Sequence, residues 1–230
     1  MGHNVNITRI KAVSNALAHL KTEIVFAGGA VVSLYADDSF RETARPTDDV
    51  DVVVELVAYQ DFAALEVELR TTGFENDTTS NVICRYRYNG IIVDILPTDS
   101  SVLGFSNLWY KPAFQQAYDV LLDQHHSVKI FPVAYFIATK LEAFNNRGGN
   151  DGRTSTDFED LVFVLNHRTP VWQELQETTG ALRSYLQKEW KNVLAIPYIE
   201  EWISSHLAYQ EQRRADYIIH SLEAFVDNRE

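Results

Sequence analysis

The sequence predicts an α/β (α+β) front half followed by an all-helical back half, on three observations. Short β-branched runs alternate with helical periodicities as far as Leu96. Asn89-Gly90 sits between two strand-like segments, the strongest short-range signal for a hairpin. After about Ser127 strand signals largely disappear and helical spacing takes over. The division this implies is residues 1–128 and residues 129–230.

The elements follow in order. Ile7, Ile10, Val13, Leu17 and Leu20 recur at helical spacing behind Asn6, which reads as an N-cap. The apolar run Ile24-Val25-Phe26-Ala27 stops at Gly28-Gly29, where a second helical stretch begins. A β-branched run from Val50 to Val54 follows Pro46. An amphipathic helix around Phe62, Leu65 and Leu69 closes at Gly73 as its C′ residue. Residues 82–88 and 91–96 form the two arms of the hairpin. Pro132 suits the first position of a helix running through Lys140 to about Asn146. Thr156 and Glu159 have the spacing of a capping box ahead of Leu161, Val162 and Leu165. Between these helices, residues 147–152 read as a flexible loop. The remainder, 171–227, reads as two to four helices interrupted near Gly180 and Pro197. There is no internal repeat and no low-complexity tract.

Composition removes several function classes. Thirty-two acidic residues against 20 basic ones give a formal net charge of −12. Such a balance argues against generic DNA binding, whose affinity comes from Lys and Arg displacing counterions. The single cysteine, Cys84, excludes a disulfide framework and reads as a packing residue in an apolar run. No apolar run approaches the roughly 18–20 residues needed to cross a bilayer. Residues 1–8 lack the basic and apolar regions of a signal peptide. The expectation is a cytoplasmic protein with no membrane partner.

The segment Asp48-Asp49-Val50-Asp51-Val52-Val53-Val54 carries most of the chemistry. Strand side chains alternate, so Asp49 and Asp51 share a face, about 7 Å apart along the strand. Two carboxylates at about 6 Å repel by roughly 3 kcal/mol at an effective dielectric of 20, which a cation between them would relieve. Hard oxygen ligands in an open geometry suit Mg²⁺ or Mn²⁺, completed by water and phosphate. Asp94 lies within the apolar strand Ile91-Ile92-Val93-Asp94-Ile95-Leu96, where a lone carboxylate is costly unless paired or bound to a cation. Were this strand beside Val50–Val54, Asp94 would complete a three-carboxylate cluster. A core salt bridge is the other explanation.

A second set of residues suits phosphate. Gly28 and Gly29 end a strand and open a helix, which lets backbone N–H groups approach an anion; a plain tight turn fits as well. Ser33, one turn further, offers a hydroxyl to a phosphate or caps its own helix. Lys140 and Arg147 stand two helical turns apart on one face, suited to a triphosphate tail or to an ordinary solvated surface. Asp157 and Asp160, three apart on the next helix, could pair with Lys140 or Arg153. His125-His126 reads as a surface doublet, and His167, His206 and His220 as helical core or surface residues. Arg85 and Arg87 share one face of a two-sided hairpin.

Gly28-Gly29, Asp49-Val50-Asp51 and Asp94, in this order, resemble the DNA polymerase β-type nucleotidyltransferase superfamily. The late motif Lys140-Leu141-Glu142-Ala143, Arg147 and Thr156-Asp157-Phe158-Glu159-Asp160-Leu161 is more closely similar to the AbiEii/AbiGii-type toxin nucleotidyltransferases. The resemblance covers about residues 23–168 and leaves the role of 171–230 open.

It implies a mixed β-sheet nucleotidyltransferase core flanked by helices, followed by a C-terminal helical bundle contributing the Lys140 motif. It implies transfer of NMP from an NTP to an acceptor RNA, such as tRNA, or to a protein, with Mg²⁺ or Mn²⁺ as cofactor. Asp49, Asp51 and Asp94 would be catalytic and hold the metal. Gly28, Gly29, Ser33, Lys140 and Arg147 would bind the NTP phosphates, supported by Asp157 and Asp160. The same resemblance implies the toxin of a toxin–antitoxin pair, with a cognate antitoxin as partner. An aminoglycoside-type small-molecule transferase, an Asp-x-Asp glycosyltransferase and a catalytically silent nucleotide-binding module are the alternatives. Two features depart from the pattern: Ala30 stands where a Ser is expected, and the stretch from Gly29 to Asp49 is long. That length leaves room for a loop over residues 37–45.

Overall fold

A computed structural model describes residues 2–56, 58–80, 82–147 and 151–227. The chain divides into two compact units, residues 1–34 with 41–132 and residues 35–40 with 133–230. The first is built on strands β1 (Ile24–Ala27), β2 (Asp49–Val54), β3 (Glu75–Asn76), β4 (Arg85–Tyr88), β5 (Ile91–Pro97), β6 (Tyr118–Leu121) and β7 (Ser127–Ile130). They form a mixed sheet in the order β3-β4-β5-β2-β1-β7-β6. β2/β5 and β1/β7 are parallel and the other neighbours antiparallel. Val50, Val52 and Val53 are fully buried, so both faces of the central strand β2 are covered along its C-terminal half. A β-branched run is what such a position selects.

The hairpin forms as its turn residues require. Asn89 and Gly90 both take positive φ, 49° and 79°, the conformation of a two-residue type I′ connection. β6 and β7 have no counterpart in the sequence reading, which passes from Leu96 to Ser127 without a strand. β6 is an edge strand and three of its four residues are exposed, so it shows no apolar alternation. Because β7 pairs with β1 and β6, the first unit runs on to Pro132 rather than stopping at 128.

Helix α1 (Gly2–Leu17) starts four residues before Asn6. The N-cap reading of Asn6 is therefore incorrect, and Leu20 lies beyond the helix. Asn6 is fully buried; its amide donates to the Arg45 carbonyl at 3.0 Å and its Oδ1 accepts from the Thr47 backbone N–H at 3.0 Å. A buried amide with both ends satisfied by another segment is a clamp, not a cap. Helix α3 (Tyr59–Thr71) and the short helices α2 (Val32–Tyr35), α4 (Ser100–Leu103) and α5 (Tyr110–Phe114) complete this part of the chain. Gly73, at φ 92°, follows α3 as its left-handed C′ residue.

The second unit holds α6 (Val133–Asn146), α7 (Thr156–His167), α8 (Val171–Gln176), α9 (Gly180–Leu194), α10 (Ile199–Ser205) and α11 (Arg214–Asp227). α6 begins one residue after Pro132. Ser155 caps α7, accepting from the Phe158 backbone N–H at 3.3 Å; the expected Thr156/Glu159 capping box does not form, because the cap lies one residue earlier and puts Phe158, not Glu159, at the third position. Phe136, Ile137, Leu141, Phe158, Leu161, Leu186, Trp190, Ile218 and Leu222 are buried, each such side chain contributing about 1.5–3 kcal/mol. The short segment 35–40 is stitched into this unit. Tyr35 packs on Phe136 with ring centroids 4.4 Å apart, and its carbonyl accepts from Arg168 at 2.9 Å. The expected loop over 37–45 contains a 3₁₀ helix, Asp38–Thr43. Of the flexible loop expected over 147–152, residues 148–150 lie outside the described residues. No helix among those described is long and apolar enough to cross a membrane.

Candidate active site

Sheet register assembles one polar row on the first unit. β1 pairs Ala27 with Asp51, β2 pairs Asp51 with Asp94, and β4 pairs Arg85 with Asp94. Directly paired residues point to the same face, and Asp49, two positions from Asp51, joins them. The sheet thus brings Asp49, Asp51 and Asp94 together. Asp49 and Asp51 are half-buried and Asp94 is buried.

Asp94, however, is not an open third ligand. Arg85 grips it bidentately, Nε donating to Oδ1 at 2.8 Å and Nη2 to Oδ2 at 2.7 Å. The same Nη2 lies 3.7 Å from Asp49 Oδ2. The hydrogen bond to Asp94 and the neighbouring carboxylate charges hold the guanidinium well above its ordinary pKa despite partial burial. Among the described residues, no group of three or more Asp, Glu, His or Cys side chains is arranged to hold a metal ion. Residue type alone places Arg85 on a hairpin face with Arg87; counting outward from the Asn89-Gly90 turn, which pairs 88 with 91 and 85 with 94, is the signal that sets it against Asp94. Cys84, beside it, is buried, and burial with the Asp94 charge pushes its thiol up to about 12, as a packing residue requires.

The turn after β1 is shaped around Asp51. Gly28 has φ +67°, and a Cβ there would stand 1.6 Å from Asp51 Oδ2 and 2.6 Å from its Cγ. Only glycine satisfies both the backbone angle and the approach of the carboxylate. Gly29–Val31 then forms a single 3₁₀ turn leading into the four-residue α2, so the helical stretch expected here is short. Ser33 is fully buried, its Oγ 2.8 Å from His3 Nδ1. In this structure its partner is that imidazole. Burial keeps the His3 pKa below its ordinary value, with the nearby Glu42 carboxylate pulling the other way.

The entry to β2 is held by α1. Thr47 donates its hydroxyl to the Asp49 carbonyl at 2.9 Å and its backbone N–H to Asn6 Oδ1 at 3.0 Å. Gly2 lies against the same segment: a Cβ on it would meet the Ala44 carbonyl oxygen and the Arg45 carbonyl carbon. No local sequence pattern announces Asn6, His3 or Gly2 as supports, because their partners lie 30 or more residues away.

On the second unit, Lys140 is buried and bonded at both ends of a carboxylate pair, 3.0 Å from Asp157 Oδ1 and 2.7 Å from Asp160 Oδ2. Burial penalises its charge, but the Asp160 and Asp157 charges outweigh that and raise its pKa. Arg147 also reaches Asp157, at 3.1 Å, while staying 70% exposed. Arg153 pairs instead with Asp151 and Glu201. Arg147 and Asp157 line a pocket of about 240 Å³ with Phe144, Asp151 and residues 154–156. His125 is exposed and His126 half-buried, the latter bound to Asp123.

Residues 12–221 match the family described as nucleotidyl transferase AbiEii toxin, type IV toxin–antitoxin system. The chain belongs to the AbiEii nucleotidyltransferase toxin family. It is accordingly a nucleotidyltransferase, and the AbiEii match extends past residue 168 into the bundle that the sequence motifs left without a relative. Solved structures with a similar fold include two nucleotidyltransferase-type proteins. One is an antigenic nucleotidyltransferase-like protein from Paracoccidioides brasiliensis, 17% identical, with a TM-score of 0.54, covering 90% of this chain and 95% of that one. The other is the antibiotic-resistance factor ANT(2'')-Ia, 12% identical, with a TM-score of 0.52, covering 84% and 96%. At these identities the likeness is one of fold. No curated protein matches the chain.

Proposed function

We propose that this AbiEii nucleotidyltransferase transfers NMP from an NTP to an acceptor hydroxyl on RNA, such as tRNA, or on a protein, as the toxin of a toxin–antitoxin pair. The observation that carries the reading is the row of Asp49, Asp51 and Asp94 on one sheet face, with Gly28 leaving room for the Asp51 carboxylate. The donor set suits a hard divalent cation: Asp49 and Asp51 offer half-exposed carboxylate oxygens on one face, and Gly28 has no side chain to cover Asp51. Mg²⁺ or Mn²⁺ held there would neutralise charge at the α-phosphate and the departing pyrophosphate.

The acceptor oxygen attacks the α-phosphorus; the bond to pyrophosphate breaks, and the hydroxyl proton passes to solvent or to a neighbouring carboxylate. The chain contributes position and charge rather than a nucleophile, as phosphoryl chemistry requires. Gly28 and Gly29 offer close backbone approach to phosphate. Arg147 is the accessible cation of the late motif, whereas Lys140 is engaged by Asp157 and Asp160. The family description, a type IV toxin–antitoxin system, supports the toxin reading and an antitoxin as partner.

The test is Asp51→Asn with each labelled NTP in turn, on total tRNA and on cell lysate. The wild-type chain is expected to label one of these acceptors and the variant to lose transfer by at least ~100-fold, the scale of removing a main electrostatic stabiliser. Transfer by the variant at the wild-type rate would sink the proposal.

A further inference from the structure

We propose that Arg85 is a built-in cation of this site, taking the place on Asp94 where a second divalent ion would sit, so that the site binds a single ion on Asp49 and Asp51. The inference rests on the nucleotidyl-transfer reading of this face. Three observations support it. Both oxygens of Asp94 accept from the Arg85 fork, so one lone pair on each is engaged and the guanidinium covers that edge of the carboxylate. The guanidinium reaches on to Asp49 at 3.7 Å, so it lies on the side of Asp94 that faces the other acids. No three-ligand cage exists among the described residues.

Charge gives the same answer. Three carboxylates against one guanidinium leave two negative charges, which a single divalent ion balances. A second ion beside Arg85 would meet a permanent positive charge, since a guanidinium does not deprotonate in a protein. The neighbouring Arg87, on the same strand face, does not compete for Asp94: it pairs with Asp77 at 2.9 Å. Arg85 is thus a positioning residue, which fixes the orientation of Asp94 and sets how many metal ions the site accepts.

The readout is Mn²⁺ stoichiometry by electron paramagnetic resonance on the full chain, with Mn²⁺ as the only added ligand. The wild type is expected to bind a single ion, lost in Asp51→Asn. Arg85→Met is expected to bind a second ion, and adding Asp94→Asn to it should remove that ion again. A wild type that binds two ions, or an Arg85→Met chain that binds Mn²⁺ just as the wild type does, would overturn the role of Arg85. Should Arg85→Met fail to fold by circular dichroism, the wild-type count alone decides between the single ion and two. Binding that Asp51→Asn leaves untouched would sink the reading of the whole face and this inference with it. Two ions on the wild type, both lost in Asp51→Asn, would sink only Arg85.

Discussion

Replacing Lys140 by methionine keeps most of the side-chain volume and removes the charge between Asp157 and Asp160, whose side chains are 3% and 1% exposed. Breaking a buried ion pair by deleting one partner costs about 3–5 kcal/mol, because it leaves uncompensated buried charge. Arg147 still reaches Asp157, so the loss should lie toward the lower end. At about 2–4 °C per kcal/mol for a chain of this size, a loss near the lower end should drop the melting temperature by ~6–12 °C. The Lys140 pKa is raised in the folded state, so its contribution is fully present at neutral pH and is lost only as pH climbs through that raised value. Urea unfolding at pH 7 therefore measures the whole effect. The triple variant Lys140→Met, Asp157→Asn, Asp160→Asn removes the charges together and should recover most of the stability. A single variant within about 1 kcal/mol of wild type, or a triple variant no better than the single, would refute the reasoning.

Two further outcomes can be checked with the same preparations. Gly28→Ala forces a side chain onto positive φ, a cost of about 1–2 kcal/mol, and drives its Cβ into the Asp51 carboxylate. It should lower urea stability and weaken Mn²⁺ binding more than tenfold; unchanged Mn²⁺ affinity would show that Asp51 has no need of that space. His167 has its pKa lowered from 6.5, chiefly by burial, with Glu211 opposing. A lowered imidazole pKa means the fold disfavours the protonated form, so stability holds above pH 6.5 and falls as pH drops through the lowered value. Urea midpoints between pH 7.5 and 5.5 should show this decline, and His167→Gln should flatten part of it.

Much of the site can be read from strand alternation and one turn. The two-residue period puts Asp49 and Asp51 on one face, and the Asn89-Gly90 turn, followed outward, pairs Arg85 with Asp94. Residue type hides that pairing, because an arginine on a strand face reads as ordinary solvated surface. Asn6 misled for a related reason. Its residue type suits a cap, yet burial against residues 45–47 decided its use. β6 was invisible because an exposed edge strand needs no apolar alternation.

By itself, the sequence determined the local facts: the α/β front and helical back, the shared face of Asp49 and Asp51, and the hairpin. These depend on periodicity and turn chemistry within about ten residues, which neighbouring side chains and backbone angles enforce. Only the tertiary structure decided that β2 and β5 lie parallel with Asp51 opposite Asp94, and that Lys140 is enclosed by two carboxylates. Strand order and helix pairing are set by which apolar faces bury one another across long stretches of chain. A one-residue slip of β5 would turn Asp94 to the opposite face with little change in any local preference.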